Sequence, residues 1–234
     1  GNTGGNVLDG SFGLDTLDGG DGDDTLLGGN GNDLLIGGAG ADSLNGGANT
    51  DTVTYADSAA AVTVSLASGT GAGGDAQGDV LTAVEVLIGS SLGDSLGGDG
   101  NANTLEGGAG NDTLIGGAGA DALVGGDDID TASYISAGAG VSVSLTTGTG
   151  TAGDALGDTL TGIENLTGSG QGDTLVGDAG GNAIDGQSGS DVVDGQAGND
   201  LLDGNAGNDT LLGGDGDDTL LGGDGNDLLT GGTG

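Results

Sequence analysis

The chain has 234 residues, of which 62 are glycine, and its formal net charge is −37 because 37 acidic residues are accompanied by no lysine, arginine or histidine. Nucleic acids and anionic membranes are bound through Lys and Arg, so both are poor partners for this chain, and no apolar run approaches the length of a membrane helix. We therefore expect neither nucleic-acid binding nor membrane insertion. Cysteine is also absent, which removes disulfides and thiolate metal sites and leaves a hard cation as the natural partner of so much negative charge.

A nine-residue period organises the first 54 residues. It is clearest in GGDGDDTLL at 19–27, GGNGNDLLI at 28–36 and GGAGADSLN at 37–45, and six such units fill residues 1–54. Glycine stands at positions one, two and four, Asp at position six and an aliphatic residue at position eight. A short period of this kind predicts a solenoid, in which each unit packs only against its neighbours.

A 34-residue insert at 55–88 interrupts the period. Val62, Val64 and Leu66 alternate with polar residues ahead of a glycine-rich segment, which predicts two extra strands around a loop. Its last nine residues remain in phase, with Glu85 at the Asp position and Leu87 at the aliphatic position. We interpret 80–88 as a degenerate unit.

The rest of the chain repeats this plan. Five units fill 89–133, a second 34-residue insert follows at 134–167, seven units fill 168–230, and GGTG begins another unit at 231. Residues 141–169 match residues 62–90 at a displacement of 79, which is also the length of five nonapeptides and one insert, so a larger unit has been duplicated in tandem. The predicted organisation is one continuous solenoid with segments 1–54, 55–88, 89–133, 134–167 and 168–234.

The consensus GGxGxDxUx, in which U is a large aliphatic residue, resembles the RTX, or hemolysin-type, calcium-binding repeat over nearly the whole chain. The resemblance implies an all-β fold, a parallel β-roll or β-helix solenoid with two nonapeptides in each coil and multiple Ca²⁺ ions between consecutive turns. It also implies type I secretion, in which an unfolded chain is exported. From the residues alone, glycine turns direct carbonyls inward and the Asp adds a carboxylate, which together supply the hard oxygen ligands that calcium prefers.

A coil of two nonapeptides has 18 residues, so aspartates 18 apart stack on one edge. On this geometry Asp15, Asp33 and Asp51 share one edge while Asp24 and Asp42 share the other. The predicted calcium ligands are the position-six aspartates of all units: Asp15, Asp24, Asp33, Asp42, Asp51, Asp94, Asp112, Asp121, Asp130, Asp173, Asp191, Asp200, Asp209, Asp218 and Asp227. Without calcium, stacked carboxylates would repel each other around a core only one side chain wide, and we expect the chain to be unfolded.

Departures from the consensus make particular sites doubtful. Asn6, Asn103 and Asn182 replace the Asp and keep an oxygen without its charge. The four turns beside the inserts lack the glycine at position four, so we expect weaker or absent calcium there; these turns are 46–51, 89–94, 125–130 and 168–173. The insert aspartates Asp75, Asp79, Asp154 and Asp158 are consistent with either a further calcium site or a solvated loop.

Catalysis lacks its usual groups, and we predict that the chain is not an enzyme. Ser and Thr have no His or Lys base, and only Phe12, Tyr55 and Tyr134 are aromatic. Three functions stay open. The first is a calcium-stiffened module of a secreted bacterial surface protein, such as an adhesin, surface layer or filament, joined to the remainder of a larger protein or to further copies end to end. The second is the calcium-dependent folding and secretion domain of a larger enzyme or toxin, and the third is an ice- or surface-binding roll with outward threonines.

Overall fold

The computed structural model describes residues 1–234 and contains short β-strands with almost no helix. Each strand carries the xUx end of a nonapeptide, and in several units it continues into the following glycines. Two short 3-10 turns lie at Gly74–Ala76 and Gly153–Ala155. In chain order the strands are β1 Val7–Asp9, β2 Thr16–Asp21, β3 Thr25–Asn30, β4 Leu34–Ala39, β5 Ser43–Ala48, β6 Thr52–Thr54, β7 Thr63–Ser65, β8 Thr70–Ala72, β9 Val80–Thr82, β10 Val86–Ile88, β11 Ser95–Gly97, β12 Thr104–Ala109, β13 Thr113–Ile115, β14 Ala122–Asp127, β15 Thr131–Ser133, β16 Ser142–Ser144, β17 Thr149–Ala152, β18 Thr159–Thr161, β19 Asn165–Thr167, β20 Thr174–Val176, β21 Ala183–Asp185, β22 Val192–Asp194, β23 Leu201–Asp203, β24 Thr210–Asp215, β25 Thr219–Leu221 and β26 Leu228–Thr233.

Outside the inserts, successive strands alternate between two 13-stranded sheets. Within the repeats every pairing is parallel and joins residues 18 apart, as in Leu17 with Leu35 and Leu26 with Leu44. One coil is therefore two nonapeptides, and the predicted fold class, a parallel β-solenoid with two units per coil, is confirmed.

The core is a single stack of aliphatic side chains between the sheets. Leu26, Leu35, Leu44, Leu105 and Leu114 are fully buried at position eight. Their neighbours in the strand point outward, since side chains alternate along a strand. Because the interior is one side chain wide, each repeat buries little apolar surface relative to its length.

Glycine is required where the turns reverse direction. Gly20 and Gly22, at positions two and four of one turn, have φ of +95° and +112°, a region that disfavours any residue with a Cβ. The resulting sharp turn brings Asp24 to the edge of the coil, directly before strand β3.

Each insert contributes three consecutive strands to one sheet. In the first insert the chain runs along β7, folds back along β8 and returns along β9, and the sheet order is β5, β9, β8, β7, β11. Strand β8 is antiparallel to both neighbours, whereas β7 is parallel to β11 and β9 is parallel to β5. The antiparallel hairpin is therefore inserted into a sheet that is otherwise parallel.

The degenerate unit at 80–88 differs from the sequence interpretation in one respect. Val80–Thr82, which we had placed in the turn of that unit, forms strand β9, and Leu81 pairs with Leu44. The turn that follows is shortened to three residues, with Ala83 at φ +50°. The sequence period could not show this, because shortening one turn brings two strands within a single nine-residue window.

The two inserts lie on opposite sheets. The first adds β7, β8 and β9 to the sheet that contains β1, and the second adds β16, β17 and β18 to the sheet that contains β2. Each nonapeptide carries the chain from one sheet to the other. Because five nonapeptides, an odd number, separate the two inserts, the second insert begins on the opposite sheet.

Candidate calcium sites

The position-six aspartates form a ladder along each edge of the solenoid. One carboxylate oxygen, Oδ1, accepts the backbone N–H of the corresponding Asp one coil earlier. The distance is 2.9 Å from Asp15 N to Asp33 Oδ1, and 2.8 Å both from Asp24 N to Asp42 Oδ1 and from Asp33 N to Asp51 Oδ1. The predicted division of the aspartates between two edges is therefore what the hydrogen bonds display.

The other carboxylate oxygen, Oδ2, has no partner in most turns. It is buried and accepts no hydrogen bond in twelve aspartates, all of which belong to the predicted ligand set: Asp15, Asp24, Asp33, Asp42, Asp51, Asp112, Asp121, Asp130, Asp191, Asp200, Asp209 and Asp218. Buried polar atoms are almost always satisfied, and an unpaired buried charge is costly. Because the same oxygen is unpartnered in twelve equivalent aspartates, we infer that all twelve bind the same kind of partner from outside the chain.

Position-one glycine leaves the space that such a partner requires. A Cβ on Gly10 would lie 2.7 Å from Asp15 Oδ2 and 2.6 Å from the carbonyl oxygen of Gly28, one coil further on. The same pair of oxygens, one from the turn and one from the next coil, surrounds Gly19, Gly28, Gly107, Gly195 and Gly213. Any side chain at this position would fill the space between the two coils.

The donor set is made of oxygen alone. No group of three or more acidic side chains converges on one point, so a cation here must complete its shell with backbone carbonyls. A mixture of carboxylate and carbonyl oxygens suits Ca²⁺, which takes six to eight oxygen ligands in flexible geometry. The residues present therefore fit calcium, and position-six aspartates and turn carbonyls are the groups that would hold it.

A proton is the alternative partner for the buried Oδ2 atoms, and the pKa values of these carboxyl groups argue against protonation at neutral pH. Burial raises the pKa of Asp112 and Asp191 from the ordinary 3.8 to about 6. Burial likewise raises the pKa of Asp42, Asp121 and Asp200. A carboxyl group with a pKa near 6 is still largely ionised at pH 7, and the chain has no basic side chain to balance it.

Comparison with known families agrees with this chemistry. The family model described as RTX calcium-binding nonapeptide repeat (4 copies) matches residues 1–35, 27–57, 97–132, 167–202 and 203–234, well over half of the chain. The chain belongs to this RTX repeat family. A search of the curated proteins finds no match. The RTX family binds calcium through these repeats, and the resemblance seen in the sequence is confirmed.

Three predicted ligands of the RTX turns lack the unpartnered oxygen. Asp94 and Asp173 are saturated by the chain itself, because Ser90 and Ser169 donate their N–H groups to Oδ2 and their hydroxyls to Oδ1. Asp227 is half-buried, and its Oδ2 does not belong to the set of buried, unpartnered atoms. Calcium at these three positions stays a prediction without that support.

The turns at 46–51 and 125–130 keep the geometry of an RTX turn despite losing the position-four glycine. Asn49 and Asp128 adopt φ of +91° and +80° in its place. Asp51 and Asp130 are fully buried and each retains an unpartnered Oδ2. Two of the four turns beside the inserts are thus as well prepared for a cation as the regular repeats, and the other two, at Asp94 and Asp173, are not.

The inserts contain a pairing that sequence reasoning missed. Asp79 and Asp158 are buried at the position-six place, and their Oδ2 atoms accept the hydroxyls of Tyr55 and Tyr134 at 2.9 and 3.1 Å. Neither Asp lies in a solvated loop. The available signal was that both tyrosines stand at position one, where the repeats have glycine, and that each precedes its Asp by 24 residues.

Proposed function

We propose that this RTX β-roll is a calcium-binding structural module of a secreted bacterial surface protein, and that it folds outside the cell when calcium binds. The observation that carries the proposal is the set of twelve buried Oδ2 atoms without partners in a chain that has no cationic side chain. In this account calcium joins consecutive coils and supplies the cohesion that a narrow core lacks.

The rod-like architecture favours the structural role. Thirteen strands in each sheet, at about 4.8 Å per strand, give a rod about 60 Å long. The tandem 79-residue duplication is a means of lengthening such a rod. The structure contains no helix with the length and hydropathy of a membrane span.

A calcium titration followed by circular dichroism, with light scattering recorded in parallel, tests the proposal. Extracellular calcium modules bind at about 10⁻⁴–10⁻³ M, so we expect β-structure to appear in this range. A midpoint below about 10⁻⁵ M, in the range of intracellular sensors, would contradict folding outside the cell. Scattering that rises together with the dichroism would favour assembly of copies end to end.

The second candidate is the calcium-dependent folding and secretion domain of a larger enzyme or toxin. It shares the calcium chemistry and differs in what the rest of the protein does. A zinc-protease or hydrolase motif in the complete gene product would favour this second role over the surface rod.

A further inference from the structure

The two inserts satisfy their buried carboxylates with donors from the chain. Asp79 Oδ1 accepts the N–H of Asp42 at 2.8 Å while its Oδ2 accepts the Tyr55 hydroxyl. The second insert repeats both bonds, with Asp158 accepting from Asp121 N at 2.8 Å and from Tyr134. In these coils a phenol hydroxyl binds the oxygen that is left unpartnered in the repeats.

In the turn after each insert, both oxygens of the position-six carboxylate accept hydrogen bonds from the chain itself. Asp94 accepts the Ser90 N–H, the Ser90 hydroxyl at 3.0 Å and the Val62 N–H at 2.7 Å. Asp173 makes the same three bonds with Ser169 and Val141, at distances from 2.6 to 2.8 Å. At the place where a repeat would stack another Asp on this ladder, Val62 and Val141 stand instead and carry no charge.

The inserts also bury more apolar side chains than the repeats. Seven are buried in the 34 residues of the first insert and eight in the second, whereas five are buried in the 45 residues of the units between them. Tyr55 and Tyr134 are almost fully buried, with exposures of 3% and 2%. The repeats bury less apolar surface for their length, so the inserts have a larger source of stability that needs no ion.

The unpartnered oxygens fall into three separate groups along the chain. None occurs between Asp51 and Asp112 or between Asp130 and Asp191. We propose that the inserts are calcium-independent segments of the solenoid, closed by Tyr–Asp and Ser–Asp hydrogen bonds, and that they divide the calcium ladder into three blocks. Calcium in one block then crosslinks only the coils of that block.

Hydrogen exchange with mass spectrometry on the full chain, with and without calcium, tests this proposal. In calcium-free buffer we expect amides of 62–66, 79–82 and 86–88 to exchange at least about tenfold more slowly than amides of 19–45 and 195–230, because apolar burial and internal hydrogen bonds persist there. In calcium both sets become protected. Equal exchange of inserts and repeats without calcium would overturn the proposal.

Tyr55→Phe and Tyr134→Phe are matched variants, since each removes one hydroxyl and leaves the other insert as an internal control. Tyr55→Phe should accelerate calcium-free exchange in the first insert by about five- to thirtyfold, leave the second insert unchanged and leave the number of bound calcium ions unchanged. Unchanged exchange in the first insert, or loss of a bound ion, would count against the Tyr–Asp bond as a substitute for calcium. If the variant does not fold in calcium, the wild-type comparison of inserts with repeats decides alone.

The outcome separates this inference from the proposed function. If calcium has no effect on exchange anywhere, the calcium-dependent module itself is refuted. If calcium protects inserts and repeats together, with no insert protection in its absence, only the inference about the inserts fails.

Discussion

The repeat turns and the inserts build the same coil edge with different chemistry. In the repeats, Asp33 and Asp112 each keep a buried Oδ2 with no partner from the chain. In the inserts, Asp79 continues the ladder of Asp42 in the same way, and its Oδ2 accepts the Tyr55 hydroxyl. The backbone bond to Oδ1 is common to both, so the ladder alone does not distinguish a metal site from a metal-free one.

The comparison identifies the atom on which the proposed need for an ion depends. In this proposal a coil requires a cation where the second carboxylate oxygen is buried without a donor, and it requires none where a Tyr or Ser hydroxyl or N–H reaches that oxygen. Position one is part of the same difference, because the inserts have Tyr55 and Tyr134 there in place of glycine, and the hydroxyls of these tyrosines reach Oδ2. The predictions below change one of these parts at a time.

The largest effect should come from closing the space beside a position-one glycine. In Gly107→Ala the new Cβ would overlap Asp112 Oδ2 and lie 2.7 Å from the carbonyl oxygen of Gly125. We expect the free energy of unfolding in calcium to fall by about 3 kcal/mol, since the substitution adds steric strain and obstructs the ion. Calcium titrations monitored by circular dichroism measure it.

Gly100→Ala is the matched control in the preceding turn. A Cβ on Gly100 would meet no atom within 4 Å, so its calcium midpoint should stay at the wild-type value. Equal shifts of the calcium midpoint in the two variants would mean that the space beside Gly107 is not part of a calcium site.

A smaller effect is expected when one carboxylate loses its charge. Asp112→Asn keeps the oxygen that accepts the Asp94 N–H but removes an anionic ligand, so the folded chain should bind about one calcium ion fewer. Native mass spectrometry counts the bound ions.

Asp94→Asn, one coil earlier on the same edge, is the control for this variant. Because Ser90 and Val62 saturate Asp94, this substitution should leave the ion count unchanged. If the count falls for Asp94→Asn and not for Asp112→Asn, the assignment of sites from unpartnered oxygens is wrong.

The smallest expected effect is the pH dependence of folding in the calcium-free chain. Burial raises the pKa of Asp112, Asp191 and Asp79 in the folded state from 3.8 to about 6, so folding takes up protons. A raised folded-state pKa gives a contribution to stability that is complete below pH 4 and is lost as the pH rises through 6. The calcium-free chain should therefore gain β-structure on acidification from pH 7 towards pH 4, measured by circular dichroism.

With calcium present the dependence should have the opposite sign. Protons and ions compete for repeat carboxylates such as Asp112 and Asp191, so more calcium should be needed for folding as the pH falls below 6. A calcium requirement that is the same at pH 7.5 and pH 5.5 would contradict binding through these aspartates.

Much of this structure could be predicted from the sequence because the repeat is periodic. A nine-residue period with one Asp and one aliphatic residue fixes the coil, its two edges and the stacking of Asp15 on Asp33 and Asp51. The Tyr55–Asp79 bond could not be predicted in this way. It depends on the antiparallel fold-back of β8, which brings together residues 24 apart and has no counterpart in the period.

The same limit applies to the ligand set. Asp94 and Asp112 occupy equivalent positions in the repeat, and the sequence predicts both as ligands. The difference between them is a local contact: Ser90 replaces the position-two glycine and its N–H and hydroxyl reach the carboxylate of Asp94. A period reports which position a residue occupies, whereas the partner of each oxygen depends on side chains that depart from the period.

The most direct test of the account is the far-ultraviolet circular dichroism of the full chain at pH 7 after exhaustive removal of calcium with a chelator. The account predicts that most of the β-sheet signal is lost and returns when calcium is restored, and that magnesium, which demands stricter octahedral geometry, does not restore it at the same concentration. An unchanged β-sheet spectrum in the chelator would contradict the claim that external cations hold the repeat coils together.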